Sequence, residues 1–213
     1  MARFPHVSCA ILSGGEARRA GGRNKSFRLV EDRPVIEHQL ELLAGQFDSP
    51  ITIVTDRPSD YEGYGGGNLR CIPDLDLPEC EPDRSPMRGL LSAMRDSAEP
   101  WVLAVACDSP WPDPDTLAAL FEKSIYPRPS TCPVPSGLCF ADDHGIQPMP
   151  GFYNIDLADG LESRLRSNQR GLRKWIETTP GIAVHGASDL NLTEAAVQRV
   201  VSGFNTWNSE AKR

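Results

Sequence analysis

Unbroken apolar runs alternate with stripes of apolar residues at helical spacing through the first two-thirds of the chain. Val7-Ser8-Cys9-Ala10-Ile11-Leu12, Ile51-Thr52-Ile53-Val54-Thr55 and Trp101-Val102-Leu103-Ala104-Val105-Ala106-Cys107 are short and lack the polar alternation of a half-exposed strand. Such runs predict strands buried on both faces. Over residues 34–46, Val35, Ile36, Leu40, Leu42 and Leu43 keep a helical period behind Pro34, a residue suited to a first helical turn. Pro86 opens a second helix with Leu90, Leu91 and Met94 on one face, and residues 113–123 form a third. A short strand over 69–74 ends in an acid, Asp74. The segment 56–67, carrying Tyr61, Tyr64 and Gly65-Gly66-Gly67, reads as irregular and exposed. Residues 126–150, rich in Pro and Gly, read as strands joined by loops; helical patterns over 156–165 and 170–177 and a short strand over 182–184 follow. This alternation predicts an α/β fold, a mostly parallel sheet covered by helices on both faces. With no internal repeat and no low-complexity linker, residues 1–213 read as one domain.

Composition narrows the function classes. Hydrophobic residues make up 39% of the 213 and charged residues 24%, the balance of a soluble globular chain. No apolar run approaches the roughly 18 residues of a membrane span. Met1-Ala2-Arg3-Phe4-Pro5-His6 lacks the apolar core of a secretory signal, so a cytoplasmic location and no membrane partner are expected. A net charge of −7 argues against nucleic acid. Against that acidic background, Arg18, Arg19, Arg23, Lys25 and Arg28 put five cations within eleven residues, which points to one anionic ligand. The six cysteines form no Cys-x-x-Cys pair, and Cys9 and Cys107 sit in apolar runs, so reduced thiols without zinc or disulfides are expected. The four histidines are scattered, and neither they nor the aromatic residues receive a role.

The cationic cluster lies in a glycine loop that follows the first strand, Leu12-Ser13-Gly14-Gly15-Glu16-Ala17-Arg18-Arg19-Ala20-Gly21-Gly22-Arg23-Asn24-Lys25. Glycines let backbone N–H groups approach phosphate oxygens, and the cations neutralise their charge. The loop is neither a Walker A sequence nor the Gly-x-Gly-x-x-Gly of dinucleotide-binding folds. From composition alone it reads either as a triphosphate cradle or as a solvated loop. Asp108 follows the third apolar run directly. Ligands of open parallel sheets bind beyond the carboxyl ends of the strands, and an acid there suits Mg²⁺. Asp108-Ser109-Pro110 is also good turn chemistry, so metal ligand and turn cap both stay open.

The glycine loop resembles Leu-x-Gly-Gly-x-x-x-Arg-x-Gly-Gly-x-x-Lys, the signature of the molybdenum cofactor guanylyltransferases of the MobA-like NTP transferase family. Ala20 stands where that family carries a large apolar residue, and Asn24 where many members have Asp. Cys107-Asp108-Ser109-Pro110 resembles the family's metal motif. Arg84-Ser85-Pro86-Met87-Arg88-Gly89-Leu90 resembles its Gly-Pro-Leu-x-Gly turn at Pro86 and Gly89, with Ser85 in place of Gly. Fainter echoes are Gln147-Pro148-Met149-Pro150-Gly151-Phe152-Tyr153, Arg170-Gly171-Leu172-Arg173-Lys174 and Phe204-Asn205-Thr206-Trp207-Asn208-Ser209-Glu210.

The resemblance implies a three-layer α/β/α, Rossmann-like nucleotidyltransferase fold, with residues 1–112 as the nucleotide-binding part and 113–213 as the acceptor-binding part. It implies transfer of GMP from Mg-GTP to a molybdopterin-type cofactor, with a molybdoenzyme or its chaperone to receive the product. The nucleotide would meet Leu12, Ser13, Gly14, Gly15, Gly22 and Lys25 in the loop, Asp74 behind its strand, and Pro86 and Gly89 at the turn. Arg19, Lys25 and Asp108 would be catalytic, with Mg²⁺ on Asp108. Arg170, Arg173 and Lys174 read equally as an acceptor-phosphate site or as a solvated helix face. Outside this resemblance, a CTP-using sister transferase and a non-catalytic nucleotide-binding module stand as the other readings.

Overall fold

A computed structural model describes residues 2–13, 24–78, 85–125 and 134–202. Its centre is a seven-stranded sheet. In spatial order the strands are β5 (Leu69–Ile72), β4 (Ile51–Val54), β1 (Val7–Leu12), β6 (Trp101–Ala106), β8 (Gly145–Asn154), β7 (Gly137–Asp142) and β9 (Ile182–His185). Among these, β8 alone runs against the others, pairing antiparallel with both β6 and β7. The sheet is therefore mostly parallel, as the alternation of runs and stripes predicts. A separate hairpin joins β2 (Leu29–Val30) to β3 (Arg33–Pro34).

Successive residues of the central strands point to opposite faces, and each face has its own core. Cys9 and Ile11 of β1 and Leu103 and Val105 of β6 pack on one side with α1 (Val35–Leu43), α3 (Pro114–Ile125) and α6 (Glu194–Val201). Ala10 and Leu12, with Val102 and Ala104, pack on the other side with α2 (Pro86–Asp96), α4 (Ala158–Arg166) and α5 (Leu172–Thr178). The result is three layers, helices over sheet over helices. Burial on both faces is why β1, β4 and β6 read as continuous apolar runs. Each fully buried Leu or Ile side chain contributes about 1.5–3 kcal/mol. No helix among the described residues is long and apolar enough to cross a membrane.

Several boundaries and one burial assignment differ from the sequence expectations. α1 ends at Leu43 rather than 46, where Gly45 takes a left-handed backbone (φ 70°). β5 ends at Ile72, two residues before Asp74. α5 begins at Leu172 rather than 170, after Gly171 at φ 112°. The hairpin of β7 and β8 falls within and beyond the Pro- and Gly-rich stretch; an added Cβ on Gly151 would lie 2.6 Å from Pro148 O, so β8 tolerates only glycine there. The segment 56–67 is not simply exposed. It folds into short 3-10 turns, and Tyr61 is buried in the core. Neither the β2–β3 hairpin nor α6 is announced by the apolar pattern of the chain.

Candidate active site

The carboxyl edge of the parallel strands gathers most of the described candidates. Ladder hydrogen bonds continue one residue past the strands: Ser13 N–H donates to Val54 O at 2.9 Å, Thr55 N–H to Ile72 O at 2.8 Å and Cys107 N–H to Leu12 O at 3.3 Å. Ser13, Thr55 and Cys107 are thereby fixed side by side, with Asp74 just beyond β5 and Asp108 just beyond β6.

Lys25 opens a 3-10 turn, Lys25–Phe27, capped by Asn24, whose side-chain oxygen accepts from Ser26 N–H at 3.0 Å. Its Nζ reaches Asp108 Oδ2 at 2.8 Å, across 83 residues of sequence. The ammonium side chain is 39% exposed and the carboxylate 20%, so the pair is partly open to solvent rather than buried in the core. Capping of α3 falls to Asp113, whose carboxylate accepts from Thr116 N–H at 2.9 Å and Thr116 Oγ1 at 2.7 Å. Asp108 is left to Lys25.

The turn carrying Asp108 is held from beneath. Gln39, fully buried on α1, donates both hydrogens of its amide, to Ala106 O at 2.8 Å and Ser109 O at 2.7 Å. Those two carbonyls flank Cys107 and Asp108, so the amide clasps the turn on both sides. Burial pushes the Cys107 thiol up to about 11, and the neighbouring Asp108 charge adds to the shift. A thiol so raised stays protonated at neutral pH and offers no nucleophile. Cys9, Cys71 and Cys139 are likewise free thiols, while Cys80 and Cys132 lie outside the described residues.

Pro86 takes the first position of α2, as predicted, and Ser85 occupies the cap without a side-chain hydrogen bond to the helix. Gly89 brings Leu12 and Asp74 together: a Cβ built on it would lie 3.6 Å from Leu12 Cδ2 and 3.7 Å from Asp74 Oδ1. Arg88 beside it is buried. The backbone after Asp74 is tied to the same helix, because Leu75 N–H donates to Ser92 Oγ at 2.7 Å and Ser92 donates to Arg88 O at 2.9 Å. Leu12, Ser13, Lys25, Asp74, Pro86, Gly89 and Asp108 thus line one edge. Gly14, Gly15, Arg19 and Gly22, with Arg18, Gly21, Arg23 and Arg84, lie outside the described residues, as do residues 204–210.

On the second half of the chain, Arg173 is engaged by the β7–β8 turn, where it donates to His144 O at 3.3 Å and Gln147 Oε1 at 3.5 Å. Gln147 in turn donates to Asp142 Oδ1 at 2.8 Å. Lys174 is exposed on α5.

Two residues of the edge go unmarked in the sequence. Gln39 interrupts the apolar stripe Ile36…Leu43 of α1, and a polar residue on a buried face is a legible signal. Tyr61 gives none, since its partners lie 35 to 48 residues away.

Residues 9–184 match the MobA-like NTP transferase domain. The chain belongs to that family. It is a family of nucleotidyltransferases. The molybdenum cofactor guanylyltransferase of Burkholderia vietnamiensis is 29% identical over 210 residues, 97% of this chain and 95% of that relative. The enzyme of the same name from Burkholderia ambifaria is 27% identical over 212 residues, again 97% and 95%. Among solved structures, molybdopterin-guanine dinucleotide biosynthesis protein A from Archaeoglobus fulgidus superposes with a TM-score of 0.70 at 19% identity, over 96% of this chain and 95% of that one. That likeness shows the shared MobA-like fold.

Proposed function

We propose that this chain transfers GMP from Mg-GTP to a molybdopterin-type cofactor, releasing pyrophosphate. The observation that carries the reading is the pairing of Lys25 with Asp108 at 2.8 Å on the carboxyl edge, inside a chain of the MobA-like family. The names of the relatives supply the acceptor and the group moved: a molybdenum cofactor and a guanylyl group, for which GTP is the donor proposed here.

In this reading an oxygen of the acceptor's phosphate attacks the α-phosphorus of GTP. The bond from that phosphorus to the bridging oxygen of the β-phosphate breaks, and pyrophosphate leaves. The acceptor oxygen is already anionic near neutral pH, so the protein needs no covalent intermediate. Its work is positioning and neutralisation of charge. Lys25 exchanges its carboxylate partner for phosphate oxygens, helped by Arg19 and by the backbone of Gly14, Gly15 and Gly22. Leu12, Ser13 and Asp74 border the nucleotide, and Pro86 to Gly89 present the turn that meets the base. Arg170, Arg173 and Lys174 are the cations proposed for the acceptor phosphate, Arg173 from its place on the β7–β8 turn.

The donor set at this edge fits Mg²⁺. That ion takes hard oxygen ligands, commonly one or two carboxylates with substrate phosphates and water. Asp108, one-fifth exposed at a strand end, offers one such carboxylate. When bound there, Mg²⁺ supplies charge neutralisation on the triphosphate.

The base is the part of the proposal open to the sharpest test. A site that hydrogen-bonds a base edge rejects a base that leaves those groups unpaired, by as much as about 10⁴. kcat/KM for GTP is therefore expected to exceed that for ATP and CTP with one acceptor. A preference for CTP would move the chain to a cytidylyl transferase while leaving the phosphate and metal assignments in place.

A further inference from the structure

The geometry points to Tyr61 as the positioning residue that fixes Lys25 for phosphate binding, through a closed ring of hydrogen bonds to the residues on either side of it. This rests on the proposed role of Lys25.

Tyr61 ends the 3-10 turn Pro58–Tyr61 behind β4 and is 3% exposed. Its hydroxyl donates to Ser13 Oγ at 2.6 Å. Ser13 passes its own hydrogen to Asn24 Oδ1 at 3.2 Å, and Asn24 Nδ2 returns a hydrogen to Tyr61 at 3.0 Å. The three side chains close a cycle. Ser26 Oγ lies 2.8 Å from the same phenolic oxygen. A phenol has one hydrogen to give and two lone pairs, so with Ser13 as its acceptor it accepts from both Asn24 and Ser26 and is saturated. Asn24 Oδ1 also holds Ser26 N–H. Every polar group of the ring thus has a compatible role, the arrangement in which linked hydrogen bonds reinforce one another.

Lys25 sits between Asn24 and Ser26, and the side chains of both end on one buried oxygen. The third partner, Ser13, is the residue that follows β1. Tyr61 therefore ties the residue before Lys25, the residue after it and the end of the central strand to a single point. Anchoring the backbone on both sides of Lys25 fixes the root of its side chain, so only the side chain's own torsions remain to be set when the ammonium meets a phosphate. The phenol itself is oriented by Phe27, with ring centroids 5.2 Å apart, and by Tyr64 packing on that same Phe27 at 5.7 Å. Burial holds the phenol above its ordinary value, against the lowering effect of its three partners, so the hydroxyl keeps its hydrogen to donate at neutral pH.

Tyr61→Phe removes the oxygen and keeps the ring packing. It is expected to lower kcat/KM for Mg-GTP about tenfold, the scale of one lost buried hydrogen-bond hub, while the KM for the acceptor stays within about twofold. The decisive experiment is a double-mutant cycle with Lys25→Ala, read in kcat/KM for Mg-GTP and in equilibrium binding of Mg-GTP. If Tyr61 acts through Lys25, Tyr61→Phe costs less than about twofold in the Lys25→Ala background, because coupled residues are not additive. An equal loss in both backgrounds, an equal rise in the KM of GTP and acceptor, or an unchanged Tyr61→Phe enzyme would each overturn the inference. Should Lys25→Ala alone leave GTP turnover and binding unchanged, the phosphate role of Lys25 fails, and the role of Tyr61 with it. A crippled Lys25→Ala beside an unchanged Tyr61→Phe would remove only the latter.

Discussion

Lys25→Ala is expected to lower turnover by about two to three orders of magnitude, the loss of roughly 2.7–4 kcal/mol that follows removal of one preorganised charge contact to a transition state. The fold should survive. Lys25 is 39% exposed and Asp108 20%, and an ion pair in that setting adds about 0–1 kcal/mol to stability after solvent screening. The ring of Ser13, Asn24, Ser26 and Tyr61 does not use the lysine side chain, so the local backbone keeps its anchors. Thermal unfolding near that of the parent, alongside turnover lowered at least about 100-fold, is the expected pair of results. A well-folded variant with near-parental turnover would remove the lysine from the phosphate site.

The second large effect concerns the metal. Asp108→Asn is nearly isosteric, and the Gln39 clasp on Ala106 O and Ser109 O does not involve the carboxylate, so the turn should stay in place. What changes is charge: an amide is a weak ligand for Mg²⁺ and offsets none of its charge. The Mg²⁺-stimulated activity is expected to disappear, and a titration of activity against Mg²⁺ reads this directly. Retention of the parental metal response in Asp108→Asn would return the residue to a structural partner of Lys25.

Much of this site is legible in the amino-acid sequence. The strands that carry it are buried on both faces, so β1 and β6 appear as unbroken apolar runs; the position just past β6 flags Asp108 as metal ligand or turn cap, and the family resemblance adds Ser13. Pro86 marks the start of α2 because its missing N–H costs nothing there. The weaker elements have little local signal. β2 and β3 are two residues each and show no period. α6 spans eight residues, and its stripe Val197, Val200 and Val201 is too short to stand out, although Thr193 caps it through Ala196 N–H at 3.1 Å. Tyr61 is hidden for another reason. It sits in a turn-forming segment of polar residues and glycines, and its burial comes with the packing of its ring on Phe27 and the hydrogen bond of its hydroxyl to Ser13. Its significance lies in three contacts distant in sequence, which no spacing rule reports.

The central claim is guanylyl transfer to a pterin cofactor, and one reaction mixture tests it. The purified chain, Mg²⁺, GTP and molybdopterin-type cofactor are incubated together, and pyrophosphate and the guanine dinucleotide of the pterin are quantified against controls lacking acceptor or Mg²⁺. Both products are expected in equal amounts, and only in the complete mixture. Folded protein that binds Mg-GTP yet releases no acceptor-dependent pyrophosphate would contradict the claim.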